Sequence, residues 1–284
     1  MDPVALHLGR IEIRWYGVFV ALGFLAAYRL ALWRADRYQV NKDRVGDLLF
    51  AGMIGGLGGA RLLYVIEFWG VEFSAGRWLD ALKIYRGGLV FYGGFIGGAL
   101  VALLFCRWRK LSIRNVADVL APCIPLGHAF GRIGCLLNGC CFGRPHEGLC
   151  SITYPGTVGG LLNNVLVTQR HQGIVAPHAE VCQAVFPIQL VSVALNLSIV
   201  ALLLCVSSRR SLRGRLFPLY LMLFATGRFL VEFGRGDYLV KTAGMTPAQW
   251  ICLALLPLGV IWFFMAGRTP KKTCAKESKE RAKG

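Results

Sequence analysis

Charge is scarce in this chain, and acid is scarcest of all. Only 17% of the 284 residues are Asp, Glu, Lys or Arg, against roughly 25% in an ordinary soluble domain. Asp and Glu together number 15 against 32 Lys and Arg, a formal net charge of +17. An acidic binding domain, a disordered chain and a secreted mini-protein are therefore excluded. The usual nucleotide and hydrolase signatures are missing too: there is no Walker loop, no HExxH and no GxSxG. The run GFIGG is not a dinucleotide fingerprint, because no strand leads into it. Nothing points to ATP, NAD or haem. One long stretch, residues 139–185, has no lysine.

What is abundant is apolar surface. Hydrophobic residues make up 55% of the chain, and there are 35 glycines besides. In a soluble protein a positive surplus would suggest nucleic acid. Here the basic residues are strung between long apolar runs, which points to a lipid bilayer and to no nucleic-acid partner. Seven runs can be read: about Trp15–Trp33, Asp47–Trp69, Gly88–Cys106, Val116–Asn138, Phe186–Val206, Leu216–Val231 and Trp250–Ala266. Most approach the roughly 20 residues needed to cross about 30 Å of hydrocarbon; the sixth is short. The first run is followed by WRADRYQVNKDR rather than a small-residue cleavage site, so it reads as a span and not as a signal peptide.

The basic residues set the expected topology. One side collects Arg34, Arg37, Lys42 and Arg44, then Arg107, Arg109, Lys110 and Arg114, then Arg209, Arg210, Arg213 and Arg215, and finally a tail rich in Lys and Arg from Arg268 to Lys283. The other side holds only Arg10 and Arg14, Arg77, Lys83 and Arg86, Arg144 and Arg170, and Arg235 and Lys241. The positive-inside rule then puts the N-terminus outside and the tail in the cytoplasm. The expectation is an all-α polytopic membrane protein of seven transmembrane helices. It forms a single domain over residues 1–266, which includes a small extracytoplasmic head at 139–185. Residues 267–284 read as a disordered basic cytoplasmic tail.

Arginine at bilayer depth is costly unless it is paired, hydrated or snorkelling. Arg29 is close enough to the cytoplasmic end of its span to snorkel. Arg61 lies deeper, in GGLGGARLLY, where the glycines admit a close helix neighbour; it is a candidate for lining a polar cavity. His128, Arg132 and Cys135 follow at steps of four and three in GHAFGRIGCLLNG and so share one helical face, which Asn138 extends. That face suits either an internal hydrogen-bond network or an anionic or carbonyl-bearing ligand. Arg228 and Glu232 stand four apart in ATGRFLVEFGRG and can pair; Arg235 follows. Gly93/Gly97 and Gly94/Gly98 in RGGLVFYGGFIGG are small-xxx-small pairs, and Tyr92 precedes them. Cys135, Cys140, Cys141 and Cys150 cluster without forming a standard zinc knuckle. A disulfide, inert packing, and metal or redox chemistry all remain open for them.

Taken together, GRIGCLLNGCCFG, FYGGFIGG, GARLLY and GRFLVEF resemble the prolipoprotein diacylglyceryl transferase family, from about Trp15 to Trp262 and in matching order. The family block GRxGNFxNGExxG falls on Arg132, Asn138 and Gly143. The block RFxxEFxR falls on Arg228, Glu232 and Arg235, GGRxxY on Arg61, WYG on Trp15, Tyr16 and Gly17, and HPxQLYE on Pro187, Gln189 and Leu190. Four polar family positions differ: Tyr92 and Phe186 stand where the family has histidine, Cys135 where it has asparagine, and Cys140 where it has glutamate.

The resemblance implies a transferase in the bacterial cytoplasmic (inner) membrane, its active site facing the outer leaflet. It would move the diacylglyceryl group of phosphatidylglycerol to the lipobox cysteine thiol of a prolipoprotein, forming a thioether and releasing glycerol 1-phosphate. Arg132 and Arg228 would meet the phosphate and its growing charge, since guanidinium groups give planar, charge-assisted hydrogen bonds without losing a proton. Glu232 would orient Arg228 or help deprotonate the thiol, and Tyr92 would hydrogen-bond or orient. Tyr16, Arg61, Cys135, Asn138, Cys140, Gly143, Gln189 and Arg235 would bind substrate. The implied partners are phosphatidylglycerol, signal peptides carrying a lipobox cysteine, and membrane lipids. A monomer is expected, with no metal or organic cofactor. Two competing readings are a transporter or flippase for a small anion or lipid, and a non-catalytic relative that binds lipid or signal peptide.

Overall fold

The structure is a computed structural model that describes residues 3–8, 11–73, 78–82, 88, 90–158, 161–237 and 242–266. The basic tail at 267–284 lies outside the described residues, as do Arg10, Arg77, Lys83, Arg86 and Lys241 of the charge pattern. Helices stand at all seven apolar runs: α1 (Trp15–Ala35), α2 (Lys42–Glu67), α3 (Phe91–Trp108), α4 with α5 (Ile113–Leu120 and Cys123–Asn138), α7 (Ile188–Val206), α8 (Leu216–Glu232) and α9 (Pro247–Ala266). Between α5 and α7 lies α6 (Asn164–His171). Five stretches are long and apolar enough to cross a membrane, namely Trp15–Tyr38, Lys42–Glu67, Ile113–Asn138, Ile188–Val206 and Pro247–Ala266; the apolar stretch of α3, Tyr92–Trp108, is shorter. Large apolar side chains on these helices face outward, Trp33 at 69% and Trp108 at 70% exposure among them. A water-soluble bundle would bury such rings; a lipid-facing one presents them to acyl chains.

Two hairpins were not expected in an all-α chain. Strands β1 (Val4–Leu8) and β2 (Ile11–Arg14) pair antiparallel, with a register shift between Val4 and Leu6, and run straight into α1. Strands β3 (Thr157–Val158) and β4 (Leu161–Leu162) form a two-residue antiparallel pair.

Two compact units divide the chain: residues 28–119 form one, and residues up to 27 together with those from 120 onward form the other. In the first, α2 starts at a real cap, the Asn41 side chain accepting from the Asp43 amide at 2.8 Å. It then packs against α3 backbone to backbone. A Cβ added at Gly59 would lie 2.9 Å from the Gly97 Cα and against the Gly93 carbonyl. Gly55, Gly59, Gly93 and Gly97 of the GGLGG and GGFIGG runs therefore form an interface in which a side chain would push the helices apart. The buried Arg34 ties the ends of this unit together, donating from Nη2 to the Tyr38 hydroxyl at 3.0 Å and to the Asp118 carbonyl at 3.1 Å.

In the second unit α5, α7, α8 and α9 pack in sequence. Gly227 sits where a Cβ would meet the Leu195 Cδ2 at 2.6 Å, so α8 closes on α7 at the turn that carries Arg228. Residues 139–185 form their own small core of Phe142, Tyr154, Val165, Leu166, Cys182 and Val185. The fully buried Gln169 completes it like a strand partner. Its Nε2 donates to the Gln183 carbonyl at 2.9 Å, and its Oε1 accepts from the Gln183 amide at 2.9 Å. Isolated bridges Pro145–Val185 and Ile152–Val185 stitch the segment, and Gly143–Arg235 ties it to the end of α8.

Candidate active site

The centre of the second unit is a narrow cleft of about 20 Å³. It is lined by His128 and Arg132 from α5, Ser192, Leu195 and Asn196 from α7, and Phe224, Arg228 and Val231 from α8. Arg132 and Arg228 are far apart in sequence yet share this one space. The His128 ring packs on Phe224, centroids 5.5 Å apart. Ser192 and Asn196 are buried and were not anticipated. The Ser192 hydroxyl donates to the Ile188 carbonyl at 3.0 Å, and Asn196 Nδ2 donates to the Ser192 carbonyl at 2.7 Å, leaving its buried Oδ1 without a hydrogen-bond partner. The signal was present: two polar residues four apart on an otherwise apolar helix mark a face turned from lipid.

Arg228 is held by Glu232, its i+4 neighbour, in a direct ion pair. Glu232 is 3% exposed and has further partners. Its Oε1 accepts from the Thr246 hydroxyl at 2.9 Å, and its Oε2 lies 3.6 Å from Arg235 Nη1. A carboxylate so engaged orients guanidinium groups, and a role as proton acceptor would first have to break those contacts. Arg235 in turn is clamped by Asp237, with Nε to Oδ1 at 2.9 Å and Nη2 to Oδ2 at 2.7 Å. Thr246 also begins α9. Its hydroxyl accepts from the Gln249 amide at 3.3 Å, and the Gln249 Oε1 accepts from the Thr246 amide at 2.9 Å. This reciprocal cap is encoded as T-P-A-Q. Above it opens a second, more polar cavity of about 250 Å³, bounded by Arg144, Gln172, Glu232, Arg235, Thr246 and Gln249 among others.

The signature segment after Arg132 makes a tight reversal. Helix α5 ends at Asn138, and Gly139 follows with φ +69. The Gly139 amide donates to the Leu136 carbonyl at 3.4 Å and the Cys140 amide to the Cys135 carbonyl at 3.1 Å, the double bond pattern that closes a helix on a left-handed residue. Cys141 is also left-handed, at φ 56. The Tyr154 hydroxyl donates to the Leu136 carbonyl at 2.9 Å, and burial pushes that phenol up to about 12. Gln189, fully buried, donates from Nε2 to the Cys140 carbonyl at 2.9 Å. The Gly143 amide donates to the Phe186 carbonyl at 3.0 Å, and a Cβ at Gly143 would strike that same carbonyl. Gln189 and Gly143 therefore brace the loop. The Cys140 thiol donates to the Cys135 carbonyl at 3.8 Å, and Asn138 is the last residue of α5 before this turn. Tyr16, at the start of α1, lies within electrostatic reach of Cys135, Cys140, Cys141 and Arg132. No disulfide joins the described cysteines.

In the other unit, Arg61 makes three backbone bonds: Nε to the Ala81 carbonyl at 2.8 Å, Nη1 to Gly88 at 3.0 Å and Nη2 to Asp80 at 2.8 Å. Its guanidinium also packs over the rings of Tyr64 and Phe73, at 5.3 and 5.7 Å. Among the described residues its partners thus include carbonyls of the α2–α3 connection and two rings. Gly88, with φ +71, must be glycine, since a Cβ there would fall 2.7 Å from Arg61 Nη1. Tyr92, in the first turn of α3, is exposed.

Two guanidinium groups lining one cleft, among helices that present apolar side chains outward, define a class: a polytopic membrane protein with a charged site enclosed by its helices. A family model of the prolipoprotein diacylglyceryl transferases matches residues 3–265, and the chain belongs to that family. Among its relatives named phosphatidylglycerol–prolipoprotein diacylglyceryl transferase, one from Clostridium tetani is 31% identical over 264 residues, covering 93% of this chain and 97% of that protein. One from Bordetella avium is 34% identical over 275 residues, covering 94% and 95%. One from Chromohalobacter salexigens is 35% identical over 235 residues, covering 83% and 79%.

Proposed function

We propose that this chain moves the diacylglyceryl group of phosphatidylglycerol onto the lipobox cysteine thiol of a prolipoprotein, the first step of bacterial lipoprotein maturation. The observation that carries the reading is the convergence of Arg132 and Arg228 on one cleft between α5, α7 and α8. The acceptor thiolate attacks the glyceryl carbon, the bond from that carbon to the phosphate ester oxygen breaks, and its electron pair leaves on that oxygen as glycerol 1-phosphate. Charge grows on the phosphate oxygens as that bond opens. Two guanidinium groups fixed beforehand stabilise this charge without reorganising. Glu232, ion-paired to Arg228 and anchored by Thr246, positions the guanidinium. Arg144, beside the larger cavity, offers a second cationic contact for an anion at its polar edge.

The setting follows from the charge pattern. Seven helices cross the cytoplasmic membrane with the N-terminus outside and the C-terminal tail within. The compact 139–185 segment then lies at the outer surface, where a signal peptide arrives, and the cleft opens to the outer leaflet. Phosphatidylglycerol and the signal peptide are the partners, and the enzyme acts as a monomer. Incubating purified protein with phosphatidylglycerol and a lipobox peptide, followed by mass spectrometry, tests the reading. The expected result is one diacylglyceryl mass on the cysteine, lowered about 100- to 1,000-fold in R132A. No modification by folded protein across several phospholipids overturns it.

A further inference from the structure

The reversal at the end of α5 gathers the Sγ atoms of Cys135, Cys140 and Cys141 within 4.8 Å of one another. Three thiolates about 2.3 Å from a tetrahedral zinc ion stand roughly 3.8 Å apart, so the cluster is within a small contraction of a ligand set. We propose that these three cysteines bind one thiophilic d10 cation of the zinc type, leaving its fourth position for the acceptor thiol; the second half of this statement rests on the transferase reading above.

The loop is built to hold this arrangement. Gly139 turns the chain back with its left-handed φ, and Cys141 itself adopts φ 56. A non-glycine residue held in that region costs energy unless its surroundings fix it. The surroundings do so: Gln189 holds the Cys140 carbonyl and the Gly143 amide is bonded to Phe186. The Cys140 thiol donates to the Cys135 carbonyl at 3.8 Å, which folds its sulfur back toward the end of α5. Three thiolates around a divalent cation carry a net charge of minus one, which a neighbouring guanidinium tolerates. Cys140 and Cys141 are partly exposed, which gives an ion and a fourth ligand access to the cluster. Soft sulfur donors select zinc, cadmium or copper(I) over magnesium or calcium.

The chemistry fits what the chain has lost. The family pattern has histidine where Tyr92 stands, and a neutral phenol is a poor base. A thiol bound to a divalent cation is deprotonated outright, its proton passing to solvent. The metal-held sulfur then forms the C–S bond as the C–O bond to phosphate breaks. The cation changes no oxidation state.

Titration of the reduced, full-length protein in detergent with cadmium tests the site. One sulfur-to-cadmium charge-transfer band per chain is expected, lost in C135S, C140S and C141S and kept in C150S and C182S. In the unaltered chain, cadmium or zinc should shield those three cysteines alone from maleimide labelling, a readout that needs no variant to fold. R228A should lose transfer while keeping the band, so the metal site and the transferase reading fail separately. Adding lipobox peptide should shift the band, and its Cys-to-Ser version should not. Absence of the band from reduced protein, its survival in C140S, or labelling unchanged by metal overturns the site. An unshifted band overturns the fourth-position assignment.

Discussion

Two arginines at helix depth, Arg61 and Arg132, are met by this chain in opposite ways. Arg61 lies beside the glycine-lined contact of α2 with α3 and donates to three backbone carbonyls of the segment that connects them. Arg132 faces a cleft shared with Arg228, His128 and Asn196. Depth and sequence context alike mark both residues as costly. Their partners separate them. Backbone carbonyls make a guanidinium a tie that holds a connection in place, whereas two guanidinium groups lining one cleft are the feature on which the proposed anion site rests. Glu232 balances the Arg228 guanidinium from its own helix, and under the proposed reaction the phosphate meets Arg132 and Arg228 together.

The comparison breaks most sharply at the cleft. R132A and R228A should each reduce transfer about 100- to 1,000-fold, equivalent to roughly 3–4 kcal/mol of barrier; R132A should leave the thermal midpoint of the detergent-solubilised protein nearly unchanged, whereas R228A should lower it by taking a partner from the buried Glu232. R132K should recover little of the loss, because an ammonium cannot make the planar two-pronged contact. If either alanine variant instead unfolds, the cleft arginines are structural and the contrast with Arg61 disappears.

At the other region the effect should fall on stability. Gly59→Val places a branched side chain against the Gly93 carbonyl and the Gly97 Cα, neither of which can move without parting the helices. Overpacking of this kind costs about 3 kcal/mol, read as a lowered midpoint in a thermal or denaturant melt. Gly58→Ala, where nothing lies within 4 Å of the new Cβ, is the matched control and should be neutral or slightly stabilising. R61M should cost about 2 kcal/mol by leaving three carbonyls without their charged donor. Activity per folded molecule should stay within a few-fold of the unaltered chain. A stable but inactive R61M would move Arg61 into the anion site.

The sequence makes the large features legible and hides the small ones for physical reasons. Apolar runs of bilayer length have one low-energy form, so all seven became helices, and the glycine runs announced the close α2–α3 contact. The run read as Val116–Asn138 is two helices, α4 and α5, separated at Ala121–Pro122; proline lacks the amide that would continue the ladder. The β1–β2 hairpin was missed because a short polar-apolar alternation of that length carries little signal beside a long helix. Helical spacing placed His128, Arg132, Cys135 and Asn138 on one face, which is the face the cleft uses for His128 and Arg132. It could not show that Cys140 and Cys141 fold back on Cys135, since that depends on left-handed residues at Gly139 and Cys141, either side of Cys140, and on Gln189, which is distant in sequence. Nor could it show that Glu232 is shared among Arg228, Arg235 and Thr246.

Thr246 gives the smallest and most discriminating test of the contrast. It belongs both to the fold, as the cap of α9, and to the site, as the hydroxyl that fixes Glu232. T246V keeps the shape and removes both bonds. The lost cap costs about 1 kcal/mol, and the buried Glu232 Oε1 loses its donor. Because Glu232 holds Arg228, the variant should lower kcat several-fold while leaving the apparent affinity for phosphatidylglycerol nearly unchanged, the pattern of a contact felt only as charge develops. T246S restores the hydroxyl and should restore both readouts. Stability lost with kcat intact would show that Arg228 keeps its place without the carboxylate being pinned. In that case the orienting chain from Thr246 through Glu232 to Arg228 ends at the helix cap rather than at the phosphate.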